Sequence, residues 1–282
     1  MQIVETLDVQ GCQVRIDGHG ADTLLMLHGW PDTLRLWDGL VDRLRQRLDS
    51  SHRCVRFTLP GFEPGAARDA ASVERIVALM AAIAERVSPD RPLTLVLHDW
   101  GCLFGYAFAQ RHPQRVARIV AIDIGDAGSP AHLRSLGWRA KLGVAGYQLW
   151  LALAWRLAGL RPALGDRMAR AMARWLRCPT PADQVHAGQC YPYDMAWTGS
   201  QGGLRRIRPP EPQAAHSPPM LYAFGRRKPF QFHSRDWAQR LAAQPGNRVQ
   251  PMATGHWVMV EQPEALAQAM ADWLAPKALA AA

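Results

Sequence analysis

Asp99 lies in the stretch LTLVLHDWGCLFGYAFAQRHP, from Leu93 to Pro113, where a strand pattern gives way to a helix pattern. The apolar run Leu93 to Leu97 reads as a buried parallel strand that stops at His98-Asp99-Trp100-Gly101. A strand that becomes a helix within a few residues leaves the central side chain of the turn exposed beside the helix N-terminus. An aspartate there can simply cap the helix. Read as a nucleophile, it needs no base to ionise, since a free aspartate has a pKa of about 3.9. Attack on an acyl carbon would give a mixed anhydride, so such a group suits a saturated electrophilic carbon and yields an alkyl ester. Two other clusters stand at strand ends. His28-Gly29-Trp30-Pro31 follows an early apolar strand, and Gly255-His256-Trp257 follows the last one.

The elements that must position these groups alternate along the chain. Ile3 to Gln10 and Gln13 to Asp17 read as antiparallel strands joined near Gly11, and Thr23 to Leu27 is a short apolar strand ending at His28. Leu34 to Leu48 forms an amphipathic helix pattern, Cys54 to Leu59 a strand, and Val73, Ile76, Val77, Met80 and Ile83 fall at helical spacing. His112-Pro113 ends the helix after Asp99, and Val116 to Ile122 is a further buried strand. From Ser129 to Gln213 the rhythm fails, and the chain reads as helices and loops rich in Trp, Arg and Ala. Prolines cluster at Pro209, Pro210, Pro212, Pro218 and Pro219; then Met220 to Phe224, a helix near Arg235 to Ala243, a strand Arg248 to Met252 and a helix Glu264 to Leu274 resume the alternation. This pattern predicts an α/β fold with a mostly parallel, doubly wound sheet. Residues 1–128 and 214–282 would form the core, and 129–213 a helical insert after the sixth strand, over the strand carboxyl ends where ligands bind.

Composition limits the alternatives. With 282 residues, 48% of them hydrophobic, the chain can bury a sizeable core. No apolar run is long enough for a transmembrane helix, and MQIVETLDVQ lacks the features of a secretory signal. Five cysteines, Cys12, Cys54, Cys102, Cys178 and Cys190, lack metal-site spacing and fit free thiols in a reducing cytoplasm. The net charge of +9 comes without a lysine-rich tail, zinc-finger spacing or basic heptads. It reads first as an arginine-rich surface and second as a match for an anionic substrate or acidic partner; nucleic acid and membrane are not expected partners.

HGWP, HDWG and GHW, in this order and at these spacings, resemble the aspartate-nucleophile branch of the α/β-hydrolases, the epoxide hydrolases and haloalkane dehalogenases. The likeness runs from Thr23 to Leu274 and is weakest in the insert. It implies that Asp99 is the nucleophile and His256 the base that activates water against the Asp99 ester. The backbone N–H groups of Trp30 and Trp100 would hold the oxyanion. No metal and no cofactor is implied; the partner is a small-molecule substrate, and the chain would be a monomer or homodimer.

The acid that orients His256 departs from the pattern. Many relatives carry it after the strand that follows the insert, but Gly225-Arg226-Arg227-Lys228-Pro229 places a lysine there, and Asp236 falls in the next helix. The other known location is the end of the strand before the insert, where AIDIGDAG offers Asp123, with Asp126 in reserve. Either could instead bind loop amides. Tyr147, Tyr191 and Tyr193 in the insert are candidate donors to an opening epoxide, and could equally be interfacial packing. For a halide, Trp100 would offer its indole N–H, with Trp150, Trp155 or Trp197 in the insert as substitutes. HGWP and the tyrosines point to epoxide hydrolysis. Leu97 and an acid before the insert point to a dehalogenase, of haloalkanes or haloacids. A small-molecule binding protein on the same scaffold is the reading from another class.

Overall fold

The computed structural model describes residues 4–204, 207–208, 211 and 217–275. Ile3 of the first expected strand, Pro209, Pro210 and Pro212, residues 205–206 and 213 of the expected insert, and the alanine-rich end lie outside the described residues.

Eight strands form one sheet in the order β1-β2-β4-β3-β5-β6-β7-β8. They are β1 Val4–Val9, β2 Cys12–Asp17, β3 Asp22–Leu27, β4 His52–Phe57, β5 Leu93–His98, β6 Val116–Ile122, β7 Met220–Gly225 and β8 Arg248–Met252. β1 and β2 pair antiparallel, as do β2 and β4, and every pairing from β4 to β8 is parallel. Successive strand residues point to opposite faces, and here both faces are apolar. Leu24, Met26, Val96, Val120 and Ile122 pack on one side with helices α1 (Asp38–Arg47) and α10 (Pro263–Leu274). Leu25, Leu27, Leu95, Leu97 and Ala121 pack on the other with α2 (Val73–Val87), α3 (Trp100–Arg111) and α8 (Arg235–Ala243). Burying each large aliphatic side chain contributes about 1.5–3 kcal/mol, so this double layer is what holds the strand ends in place. A short helix, α9 (Val258–Glu261), follows β8.

The chain does not run as one helix from Leu34 to Leu48. Leu34–Trp37 is a tighter 3₁₀ turn, started where the Thr33 hydroxyl accepts from the Arg35 N–H, and α1 begins only at Asp38. Between β6 and β7 lie α4 (Pro130–Ser135), α5 (Trp138–Ala158), α6 (Pro162–Trp175) and α7 (Tyr191–Thr198), with short 3₁₀ turns and no strand among the described residues. α5 packs against both α6 and α7. Among the described residues no helix is long and apolar enough to cross a membrane. All five cysteines are unpaired.

Candidate functional site

Asp99 sits between β5 and α3 with φ 52° and ψ −125°, a left-handed conformation that costs an L-residue roughly 1–3 kcal/mol. Two close approaches hold the turn. A Cβ on Gly101 would lie 2.2 Å from the Leu27 carbonyl oxygen, and one on Gly29 would lie 2.2 Å from Asp99 Oδ1. Only glycine lets the two strand ends meet this closely. The Trp30 N–H donates to Asp99 Oδ1 at 2.8 Å, and the Trp100 N–H also hydrogen-bonds this carboxylate. Oδ1 is thus held by the Trp30 amide. The other oxygen, Oδ2, faces His256 Nε2 at 3.5 Å.

His256 Nδ1 lies 2.5 Å from Asp123 Oδ2. Asp123 directly follows β6, fully buried, with φ 72°. Its Oδ1 accepts from the Gly225 N–H at 3.1 Å and from the Lys228 ammonium, which forms a buried ion pair with it. Lys228, in the loop after β7, is therefore the partner of the carboxylate that follows β6. Asp126 goes elsewhere. It accepts from the Ser234 N–H at 2.6 Å and hydroxyl at 2.7 Å and from the Ser129 hydroxyl at 2.7 Å, tying the loop after β6 to the start of α8. Asp236 lies in α8, paired with Arg240.

The electrostatics follow from this stacking of charges. Burial would lower the His256 pKa, but Asp123 and Asp99 outweigh it and raise it to about 9. Burial would raise Asp123, yet Lys228 and His256 hold it well below the usual carboxylate range. Asp99 is likewise pulled down, against burial, by His256. The resting site is an alternating row: Asp99 anion, His256 cation, Asp123 anion, Lys228 cation.

Two residues of this site carried no sequence assignment. His98, the last residue of β5, is buried and stacks on His256 with ring centroids 4.5 Å apart. Burial and His256 push its pKa down to about 3, so it stays neutral and its Nε2–H donates to the His256 carbonyl at 3.2 Å. Asp32 is buried and accepts from Thr180 Oγ1 at 2.5 Å and Trp257 Nε1 at 3.0 Å, with its pKa pushed up to about 6 by burial. It ties the loop after β3 to the insert and to the residue after His256. Its place directly after HGWP was the available signal.

Above Asp99 opens a cavity of about 860 Å³ between the insert and the core, floored by Trp30, Asp99 and His256. Tyr147 and Tyr193 line it, their rings 6.1 Å apart, and burial together with the Asp99 charge raises both phenol pKa values. Tyr191 and Trp150 do not line it. Tyr191 is two residues from Tyr193, about 200° around α7, so the two cannot face the same way. Its ring packs on Phe62 and Trp155 instead. The Trp150 indole turns to α6 and donates to the Met168 carbonyl at 3.0 Å. Trp155 lies under Arg68, and Trp197 donates to Gln148 Oε1 at 3.1 Å.

The model of the alpha/beta hydrolase family matches residues 24–269. The chain belongs to the alpha/beta hydrolase family. Among solved structures, a mutant epoxide hydrolase from Bacillus megaterium, complexed with its naphthyloxy-propanediol product, superposes with a TM-score of 0.70 at 19% identity, over 96% of this chain and 99% of that one. This likeness carries the fold of the hydrolase core and insert. In sequence, the chain is 24% identical over 190 residues to the Mycobacterium tuberculosis protein named "Probable oxidoreductase EphD", covering 62% of this chain and 31% of that protein. It is 31% identical over 104 residues to a haloalkane dehalogenase of Psychrobacter cryohalolentis, covering 36% of this chain and 33% of that one. The chain thus spans about a third of the length of these curated relatives.

Proposed function

We propose that this alpha/beta hydrolase opens epoxides to diols through a covalent ester on Asp99, as a member of the aspartate-nucleophile branch. The observation that carries the reading is the Asp99 carboxylate itself, with Oδ1 bonded to the Trp30 N–H and Oδ2 facing His256, in a cavity that Tyr147 and Tyr193 also line. Oδ2 attacks an epoxide carbon and the C–O bond breaks. Its electron pair goes to the ring oxygen, which takes a proton donated by Tyr147 or Tyr193. Ester formation removes the Asp99 charge, and His256 loses one of the two anions that raise its pKa. Its proton goes to the tyrosinate left by epoxide opening, and neutral His256 then takes a proton from water, whose oxygen attacks the Asp99 carbonyl carbon. The developing oxyanion stays on Oδ1, where each amide donor contributes about 3–4 kcal/mol in comparable sites. Collapse breaks the bond between Cγ and the ester oxygen, the departing alkoxide takes the water's second proton, and the carboxylate and the His256 cation are restored, so one epoxide and one water give one diol. Asp123 orients His256 and stabilises its cation. Residues 129–213 act as the cap that closes the site, in a cytoplasmic enzyme working as a monomer or homodimer.

A dehalogenase is the second reading, favoured by the position of Asp123 after β6 and by Trp100, 6% exposed beside the nucleophile. One experiment separates the readings. The protein is incubated with a terminal epoxide and a bromoalkane in ¹⁸O-water, and diol and bromide are measured. Diol release, with ¹⁸O entering Asp99 in a single turnover, is expected. Bromide alone selects the dehalogenase, and an Asp99→Asn variant as active as wild type on either substrate overturns the mechanism. No turnover of a broad panel leaves a binding protein.

A further inference from the structure

Above its charged floor the cavity has largely apolar walls, and arginines line it as well. Arg139 on α5, Arg177 just after α6 and Arg227 just after β7 are exposed residues on three separate elements, and all three line this one opening. Arg227 pairs with Glu261 at 3.5 Å. Among the described residues Arg139 and Arg177 have no carboxylate partner, although the Arg139 guanidinium lies 5.2 Å over the Trp138 ring. The surplus is not spread evenly over the chain. Residues 129–204 hold nine arginines and lysines against three carboxylates, a surplus of six within the net charge of +9. Clustered like charges at a cleft with low-dielectric walls focus a field that draws in anions.

We infer that the cavity takes ligands with an apolar body and an anionic end, a carboxylate in the simplest case, and that Arg139 and Arg177 hold that end at the mouth. This names a substrate class for the reading of Asp99 given above, and it rests on that reading for the chemistry at the inner end. The orientation follows from charge. At the floor Asp99 and Asp123 are already paired with His256 and Lys228, leaving no cation in surplus for a second anion, while the guanidinium groups at the opening attract it. Leu176, Phe230, Phe232 and Trp257 form the wall between. A chain of about ten carbons is within the size that a cavity of this class encloses. The reacting carbon enters first and the head group stays outside, where a guanidinium can form paired hydrogen bonds with a carboxylate.

The test needs no turnover. Decanoate and decanol, of equal chain length, are titrated into the wild-type protein by calorimetry at low and at high salt. Decanol is the more apolar, so without a cationic mouth it binds the tighter. The expected result is that decanoate binds at least about tenfold tighter, a difference of 1.4 kcal/mol. That preference should collapse between about 0.05 and 0.5 M salt. In an Arg139→Gln/Arg177→Gln variant the ratio of the two affinities falls to about one or below. Decanoate binding no tighter than decanol in the wild type, or a preference indifferent to salt and to the double variant, overturns the inference. Should the variant fail to fold, the salt titration decides alone. The epoxide reading fails separately: a protein that binds decanoate selectively but turns over no epoxide keeps its cationic mouth and loses the proposed reaction. To link the two, an ω-epoxy fatty acid and its methyl ester are compared as substrates, and a higher kcat/KM for the acid is expected.

Discussion

The Lys228 ammonium pairs with Asp123 although the two leave the sheet from neighbouring strands, Asp123 from β6 and Lys228 from the loop after β7. Asp123 is fully buried and the Lys228 side chain is 8% exposed, so neither charge has water to fall back on. Asp123 is shared, with one oxygen for Lys228 and the Gly225 N–H and the other for His256. The lysine draws on the same negative charge that raises the basicity of His256.

Replacing Lys228 by Met should therefore strengthen His256 as a base. With the cation gone, Asp123 acts on His256 alone, and the alkaline pH at which His256 loses its proton moves upward. The pH profile of ester hydrolysis, followed in pre-steady-state kinetics, should shift to higher pH by a measurable fraction of a unit or more. Removing one partner of a buried pair also costs about 3–5 kcal/mol, which urea unfolding at pH 7 would read. A profile that stays in place, or moves to lower pH, rules out the coupling.

The same residue marks where sequence reading stopped. The strands, the order of the clusters and the helices flanking the sheet were legible because apolar periodicity is local: Val116–Ile122, Arg235–Ala243 and Arg248–Met252 have the expected bounds. Asp123 stands ahead of Asp126 only because it comes directly at the strand's end; nothing in the local pattern says where either side chain goes. Only the turn after β6, with Asp123 at φ 72°, points one at His256 and lets Ser234 collect the other. Lys228 read as a missing acid because its partner is 105 positions away. The cap tyrosines were partly separable, since two residues apart on a helix cannot share a face, but that needs α7 to begin at Tyr191, which CYPYDMAW does not announce.

Asp123→Asn should remove most of what raises His256. In the wild type the folded pKa of His256, about 9, lies above its ordinary value near 6.5. A raised pKa contributes stability that is fully present below about pH 6.5 and is lost as pH rises toward 9. The difference in unfolding free energy between wild type and Asp123→Asn should therefore be larger at pH 6 than at pH 9.5. Urea unfolding at both values checks it. A difference that grows with pH has the wrong sign and would remove His256 as its source.

His256→Gln should stop the reaction half-way. Ester formation needs only the Asp99 carboxylate and a proton donor, while ester hydrolysis needs a base for water. With an epoxide that the wild type consumes, intact-protein mass spectrometry should show a gain equal to the epoxide mass, mapped to the peptide bearing Asp99. Unmodified protein after prolonged incubation counts against a covalent intermediate.

Tyr147→Phe and Tyr193→Phe separate leaving groups. An alkoxide must be protonated and a bromide need not be, so loss of a phenol donor should slow epoxide opening by about 10²-fold or more while touching bromoalkane attack far less. Equal losses on both substrates would assign the tyrosines to cavity shape alone.

Gly29→Ala and Gly101→Ala should fail in different ways, because their missing Cβ atoms meet different things. At Gly101 the new carbon would sit 2.2 Å from the Leu27 carbonyl oxygen, which belongs to the sheet and cannot move without disturbing β3. At Gly29 it would meet the Asp99 side chain, with Oδ1 at 2.2 Å and Cβ at 2.4 Å. Turning the Asp99 side chain would free Oδ1 but not Cβ, which the backbone fixes, so the strained turn at Asp99 must itself shift. Gly101→Ala is expected to lose stability first, by about 1–3 kcal/mol or more as overpacking does. Gly29→Ala should lose stability as well, but because it displaces the nucleophile's own turn it should also pull Asp99 Oδ1 away from the Trp30 N–H, and losing one such donor lowers kcat by about 10²–10³. Thermal unfolding and single-turnover rates on the two variants read the contrast, and a Gly29→Ala protein that is both stable and fully active would show that the Trp30 amide is not needed.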